Sequence, residues 1–355
     1  MLMIRQYNCL FMVLIALFWG TTTMTHAESV QQIVEDPAAR AELAVEALQE
    51  WYNRETGLWD TTNWWNAANA LYVVVDYSKR TGETRYQSVV ENTYRRHVDG
   101  GFLNEYYDDM GWWALSWIHA YDWLGDERYL NVAKSIFWHM SSGWDDTCGG
   151  GMWWRKDRGY KNAITNELFL QLAGRLYNRT QEQSYLDWAN RTWSWFDASG
   201  MINELHLVND GLRDCENNRD ITWTYNQGVI LGGLVELYRA TGDEALLRRA
   251  ESIADTAITL LIDENGILRE PCELSFNCGN DGPQFKGIFM RNLGLLQTES
   301  NKDTYAAFMA LNADSIWANA RNDQNQLGLG WGRRLDRADA ARQASALDAL
   351  LVVIP

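Results

Sequence analysis

The sequence predicts an all-α chain whose helices pair in hairpins and close into an (α/α)6 toroid. Three observations carry this prediction. The 355 residues hold four prolines and scarcely any runs alternating apolar and polar with period two. A unit of amphipathic helix, glycine turn and second helix recurs roughly every 45–60 residues, the spacing of stacked helical hairpins. The two ends of the chain each supply one unpaired helix, as if they were halves of one more hairpin.

In order, "AELAVEALQEWY" is the leading helix. The copies are "NWWNAANALYVVVDYSKRTGETRYQSVVENTYRRH", "GWWALSWIHAYDWLGDERYLNVAKSIFWHM", "NAITNELFLQLAGRLYNRTQEQSYLDWANRTWSWF", "YNQGVILGGLVELYRATGDEALLRRAESIADTAITLL" and "FKGIFMRNLGLLQTESNKDTYAAFMALNADSIWANA". "DAARQASALDALLVVI" closes the chain, which makes about twelve helices. In "RTGETRY", "WLGDERY" and "ATGDEAL", Gly82, Gly125 and Gly242 can adopt the left-handed conformation that ends a helix. Acidic residues after them suit the N-terminus of the next helix. The first helix of each copy, richer in Trp, Ala, Gly and Leu, is expected inside, and the more charged second helix outside. An open solenoid is the competing architecture.

In a toroid, the segments leading into the inner helices gather at one end. Here they are "DTTNWWNA", "NEYYDDMGWW", "GYKNAITNE", "ITWTYNQG" and "GPQFKGIF", each mixing aromatics with Asn, Gln, Lys or Asp. Together they predict a cleft, with "WDDTCGGGMWWRKDRGY" and "INELHLVNDGLRDCENNRDITW" as its walls.

Hydrophobic residues make up 46% and charged residues 22%, enough apolar content for a sizeable core. A net charge of −16 argues against nucleic acid or an anionic membrane surface as partner. Nineteen tryptophans exceed what packing needs, and about half are expected to be platforms for sugar rings. Residues 1–27 read as a cleaved signal peptide: Arg5, an apolar run from Cys9 to Trp19, and a small-x-small site ending at Ala27. Residues 28–355 would then form a single secreted catalytic domain without stable membrane insertion. Cys148, Cys215, Cys272 and Cys278 remain, an even number suited to an oxidising compartment. Cys272 and Cys278 could close a small loop and leave Cys148 to Cys215; four cysteines allow three pairings. "NRT" at Asn178 and Asn190 is compatible with export in a eukaryote.

The chemistry centres on "YYDDMGWW". Asp108 precedes a helical run and can cap it, with Asp109 as a solvated first-turn acid. The alternative is catalysis, because glycoside hydrolysis needs two carboxyl groups in different protonation states. A helix N-terminus favours one as carboxylate, and repulsion plus neighbouring rings favours a proton on the other.

"YYDDMGWWALSWI", "CGGGMWW", "KNAITNELFL", "TWTYNQGVILGGLVEL" and "QFKGIFMRNL", in this order, resemble glycoside hydrolase family 76, over nearly all of the mature chain. The family comprises endo-α-1,6-mannanases, with fungal cell-wall relatives proposed to be transglycosylases. The resemblance implies an (α/α)6 fold and retaining hydrolysis of α-1,6-linked mannose, with Asp108 as nucleophile and Asp109 as acid/base. The C-terminal "ALDALLVVIP" is too short for the anchor signal of the fungal relatives, so a secreted mannan hydrolase is the better match.

Sugar contacts are expected from Trp64, Trp65, Tyr107, Trp112, Trp113, Trp154, Asn162, Asp210, Tyr225, Asn226, Gln227 and Lys286, with Lys161 and Asn166 as weaker candidates. Adjacent helical residues point roughly 100° apart, so one ring of a tryptophan doublet should face the cleft and the other pack. Asp145 and Asp146 read as structural or rim-lining. No metal or cofactor is expected, since the histidines are scattered and no ligand spacing occurs. The reading is therefore a secreted endo-α-1,6-mannanase acting on α-1,6-mannan or mannose-containing oligosaccharides. A transglycosylase of cell-wall assembly and a non-catalytic glycan-binding protein are the alternatives. A sugar epimerase would need paired histidines that the sequence does not offer.

Overall fold

The computed structural model describes residues 36–275 and 277–355; the expected signal peptide lies outside them. These residues form twelve helices. They are α1 (Pro37–Gln49), α2 (Trp64–Thr81), α3 (Gln87–His97), α4 (Tyr107–Leu124), α5 (Glu127–Ser141) and α6 (Ala163–Thr180). They continue with α7 (Gln183–Ala198), α8 (Thr224–Thr241), α9 (Glu244–Leu260), α10 (Gly282–Ser300), α11 (Asp303–Asn319) and α12 (Ala340–Leu351). Sheet is confined to two small antiparallel hairpins, β1 (Tyr52–Asn53) with β2 (Leu58–Trp59), and β3 (Leu212–Arg213) with β4 (Glu216–Asn217).

The even-numbered helices form an inner ring. Each packs on the next, and α12 packs on both α2 and α1, which closes the ring and excludes the open solenoid. Burial follows the predicted division. Helix α6 is buried without a break from Ala163 to Leu176, whereas outer α9 buries only Leu246, Leu247, Ala250, Ile253, Ala254 and Ala257, one amphipathic stripe. Inner helices can approach to backbone contact. A Cβ on Gly287 of α10 would lie 2.3 Å from the Ser345 carbonyl oxygen of α12.

The turn grammar holds. Gly82, Gly125 and Gly242 end their helices with φ of 75°, 68° and 72°. Asp126 and Asp243 then cap α5 and α9 by accepting backbone N–H groups. The inner ring is less apolar than its composition suggested. Asp76 meets His119 at 3.1 Å, Arg175 meets Glu236 at 3.5 Å, and Arg291 meets Asp348 at 3.4 Å, all buried pairs between inner helices.

After each of α5, α7, α9 and α11 the chain makes a short bridged turn, pairing Trp144 with Met152, Ile202 with Val208, Ile262 with Leu268 and Arg321 with Leu327. A polar side chain of the next inner helix grips the second residue's backbone. Asn166 accepts from the Met152 N–H at 2.7 Å and donates to its carbonyl at 3.2 Å. Gln227 does the same to Val208, at 2.7 and 2.9 Å. Gln343 accepts from the Leu327 N–H at 2.7 Å, and Lys286 donates to the Leu268 carbonyl at 3.3 Å. These grips fix the turns from which the cleft walls grow.

Candidate active site

At the N-terminal end of the inner helices lies a cleft of about 520 Å³. It is lined by Asn63, Trp64 and Trp65 from the start of α2, and by Tyr106, Asp108, Asp109 and Trp112 around the start of α4. Trp154, Tyr160, Asn162 and Asp210 come from the two insertions and the start of α6, Tyr225 from α8, and Asp281 and Phe285 from the start of α10. No lysine, arginine or histidine is among them.

Asp108 and Asp109 sit in the first turn of α4. The Trp154 indole donates to Asp108 Oδ2 at 2.9 Å, and Asp108 Oδ1 has no hydrogen-bond partner. The Asn104 amide donates to Asp109 Oδ2 at 2.5 Å. Burial pushes Asp108 well above the usual carboxylate range, the charge of Asp109 adds to this, and the Trp154 indole and helix N–H groups oppose it. Asp109 is pushed up to about 6, by burial first and then by Asp281, against the Asn104 amide. Near neutral pH the pair therefore retains a proton.

Four rings form a closed circuit across the cleft. Trp65 and Trp112 lie 5.7 Å apart, Trp112 and Tyr225 6.5 Å, Tyr225 and Phe285 3.9 Å, and Phe285 and Trp65 6.1 Å between centroids. Such faces suit the C–H surfaces of sugars.

The walls are pinned to helix starts. Tyr106 bridges to Arg155, and the Tyr107 N–H donates to the Trp154 carbonyl at 2.9 Å, which sets the Trp154 indole against Asp108. Asn162, the N-cap of α6, bridges to Gly211, and the Ala163 N–H donates to the Asp210 carbonyl at 2.8 Å. The Tyr160 hydroxyl donates to Asp210 Oδ2 at 2.6 Å and accepts from Asn218. The disulfides are Cys148–Cys215, which ties the two insertions together, and Cys272–Cys278.

Residues 36–353 match the model of glycosyl hydrolase family 76. The chain belongs to this family. The mannan endo-1,6-alpha-mannosidase DFG5 of Candida albicans is 26% identical over 85% of this chain and 75% of its own length. Lin0763 from Listeria innocua is a structural neighbour, with TM-score 0.81 and 28% identity over 90% of this chain and 97% of its own. The α-1,6-mannanase GH76A of Salegentibacter sp. was solved with α-1,6-mannotetrose, as an inactive variant with two consecutive aspartates replaced by alanine. It has TM-score 0.81 and 26% identity, covering 90% of this chain and 99% of its own.

Of the expected sugar contacts, Trp64, Trp65, Trp112, Trp154, Asn162, Asp210 and Tyr225 line the cleft together with the two aspartates. Other expected sugar contacts lie elsewhere. Trp113 is the packed half of its doublet, fully buried beside Trp64, Phe102 and Trp117. Trp64 and Trp65 depart from the one-in-one-out rule, since both line the cleft. Tyr107 is buried against Gly143, whose Cβ would fall 2.7 Å from its ring. Asn226 is fully buried and outside the lining, with neither amide atom partnered. Gln227 is the Val208 grip. Lys286 is fully buried, 2.6 Å from Glu273. Lys161 is spent on Asp145 and on the carbonyls of Asp145, Thr147 and Gly150, so Asp145 is structural, as read. Asn166 is the Met152 grip.

Sequence reasoning missed Asn63, Tyr106, Tyr160, Asp281 and Phe285. Asn63, Tyr106 and Asp281 are the N-caps of α2, α4 and α10. Helix register therefore held the signal, once each inner helix was started at the correct residue.

Gln227→Leu should expose what the grip is worth. Leaving the buried Val208 N–H and carbonyl without partners costs about 1–3 kcal/mol. Thermal unfolding is expected to begin several degrees lower, with the wall that carries Asp210 gaining the most in hydrogen–deuterium exchange.

Proposed function

We propose that this protein is an exported, retaining endo-α-1,6-mannanase whose single catalytic domain spans residues 28–355. One observation carries the reading: two consecutive carboxyl groups line an aromatic cleft, in a chain of a family that contains α-1,6-mannanases. The two disulfides support an oxidising destination. No helix of the described residues is long and apolar enough to cross a membrane.

Asp108 acts as nucleophile and Asp109 as acid/base. The Trp154 indole holds one Asp108 oxygen and leaves Oδ1 unengaged. Burial pushes Asp108 up further than Asp109, opposite to the order this division requires. The fixed donors nevertheless favour the division. Each carboxyl has a negative neighbour, but Asp108 has an indole N–H and helix N–H groups on it, which stabilise a carboxylate, whereas Asp109 has a single amide donor. Bound substrate adds a glycosidic oxygen beside Asp109 as proton acceptor. As the C1–O bond breaks, Asp109 passes its proton to the leaving oxygen and Asp108 forms a bond to C1. Asp109 then takes a proton from water, whose oxygen attacks C1 and frees Asp108, so the anomeric configuration is retained. The related Salegentibacter enzyme, inactive with two consecutive aspartates replaced, supports the pair as catalytic, while the division of roles rests on the donors above.

Unbranched α-1,6-mannan, followed by product size and by proton NMR of the first-formed anomer, tests the proposal. Expected are mixed oligosaccharides whose new reducing ends begin as the α-anomer. Release of mannose alone, or of the β-anomer, contradicts it. Products that lengthen when a sugar acceptor is added would instead identify a transglycosylase.

A further inference from the structure

We propose that Asp281 is a positioning residue of this site: its charge keeps the proton on Asp109, and its hydrogen bonds seat the Trp65 ring in the cleft. The proposal rests on Asp109 being the acid/base. Asp281 stands at the N-cap of α10 but makes no cap bond to its own helix, unlike Asp126 and Asp243. Its Oδ1 instead reaches across the rim to α2, where it accepts from the Trp65 indole at 2.9 Å and from the Asn63 amide at 3.3 Å. A carboxylate that forgoes its own helix for α2, on the other side of α12, is held by the cleft. The Cys272–Cys278 loop braces it, since the Gly282 N–H donates to the Cys278 carbonyl at 3.1 Å.

Charge supplies the second half of the argument. Asp109 shares the cleft lining with Asp108 on its own helix, Tyr106 at the N-cap of that helix, Asp281 from the start of α10, Asp210 and Tyr160 from the walls, and Tyr225 from α8. Arg155 lies over the rings of Tyr106 and Trp154, and Arg291 over that of Trp112, but neither guanidinium is part of the lining. Asp281 is the like charge that pushes Asp109 up after burial. A negative charge there disfavours a second one on Asp109, so the acid keeps its proton at pH values where an exposed aspartate has lost it.

The two roles separate by substitution. Asp281→Asn keeps an oxygen for the Trp65 indole and removes the charge. The alkaline limb of kcat/KM on unbranched α-1,6-mannan is expected to move to lower pH by roughly half to one unit, with KM nearly unchanged. Asp281→Glu should restore the limb. Trp65→Phe, which loses the indole donor but keeps the charge, should raise KM and leave the limb in place. A limb that stays put in Asp281→Asn, while Asp109→Asn is inactive, overturns this proposal alone. An active Asp109→Asn overturns the assignment of the acid itself. If Asp281→Asn fails to fold, Trp65→Phe decides, because a limb that moves with the charge intact contradicts the proposal.

Discussion

Asparagine at Asp108 should lower kcat on α-1,6-mannan by at least about a thousandfold while leaving the fold and oligosaccharide binding intact, because a neutral amide cannot form the bond to C1. Asparagine at Asp109 should do the same on mannan but spare much of the activity on an aryl mannoside, whose leaving group needs no proton. Azide separates the roles further. In Asp108→Ala it can enter the emptied space and attack C1 from the side the carboxylate used, giving the inverted β-mannosyl azide. In Asp109→Ala it can intercept the mannosyl–Asp108 bond and give the α-azide. Exchanged outcomes would assign nucleophile and acid the other way round, and undiminished turnover in either variant would remove both from the mechanism.

Lys286→Met should be a stability variant. The ammonium is fully buried, 2.6 Å from Glu273 Oε1 and 2.7 Å from the Leu329 carbonyl, above the Trp331 ring. Removing it leaves Glu273 in the interior without its close cation, held by the Glu270 N–H at 2.9 Å and a long contact to Arg333 at 3.4 Å. Breaking one side of a buried pair costs about 3–5 kcal/mol. The variant is expected to unfold well below the parent in thermal melts, and its folded fraction should keep the parent KM. Glu273→Met added to it should recover much of the loss. A raised KM without a change in stability would instead return Lys286 to the sugar-binding role that its sequence context suggests.

That contrast shows what the sequence could and could not convey. Helix pairing was legible because glycine C-caps and aspartate N-caps write each turn locally, and closure was legible because α1 and α12 are each half a pair. The aspartate dipeptide was legible because no core needs two adjacent acids between aromatic rings. Gln227, Lys286 and Asn166 misled because an amide or ammonium that grips a backbone carbonyl uses the same donors as one that holds a sugar hydroxyl. Only register decides between them. Phe285 and Lys286 adjoin, yet one turns into the cleft and the other inward to Glu273. Asp281 escaped notice because its role depends on α2, more than two hundred residues away in the chain, at 2.9 Å in space.

The grips on Met152, Val208, Leu268 and Leu327 touch main-chain atoms of the turns they hold. A wall fastened by its peptide groups places no demand on its own side chains. Residues beyond each fastening can be exchanged, lengthened or recharged while the barrel beneath is undisturbed. Descendants of one scaffold could in this way come to prefer different branches or chain lengths without first having to relearn how to fold.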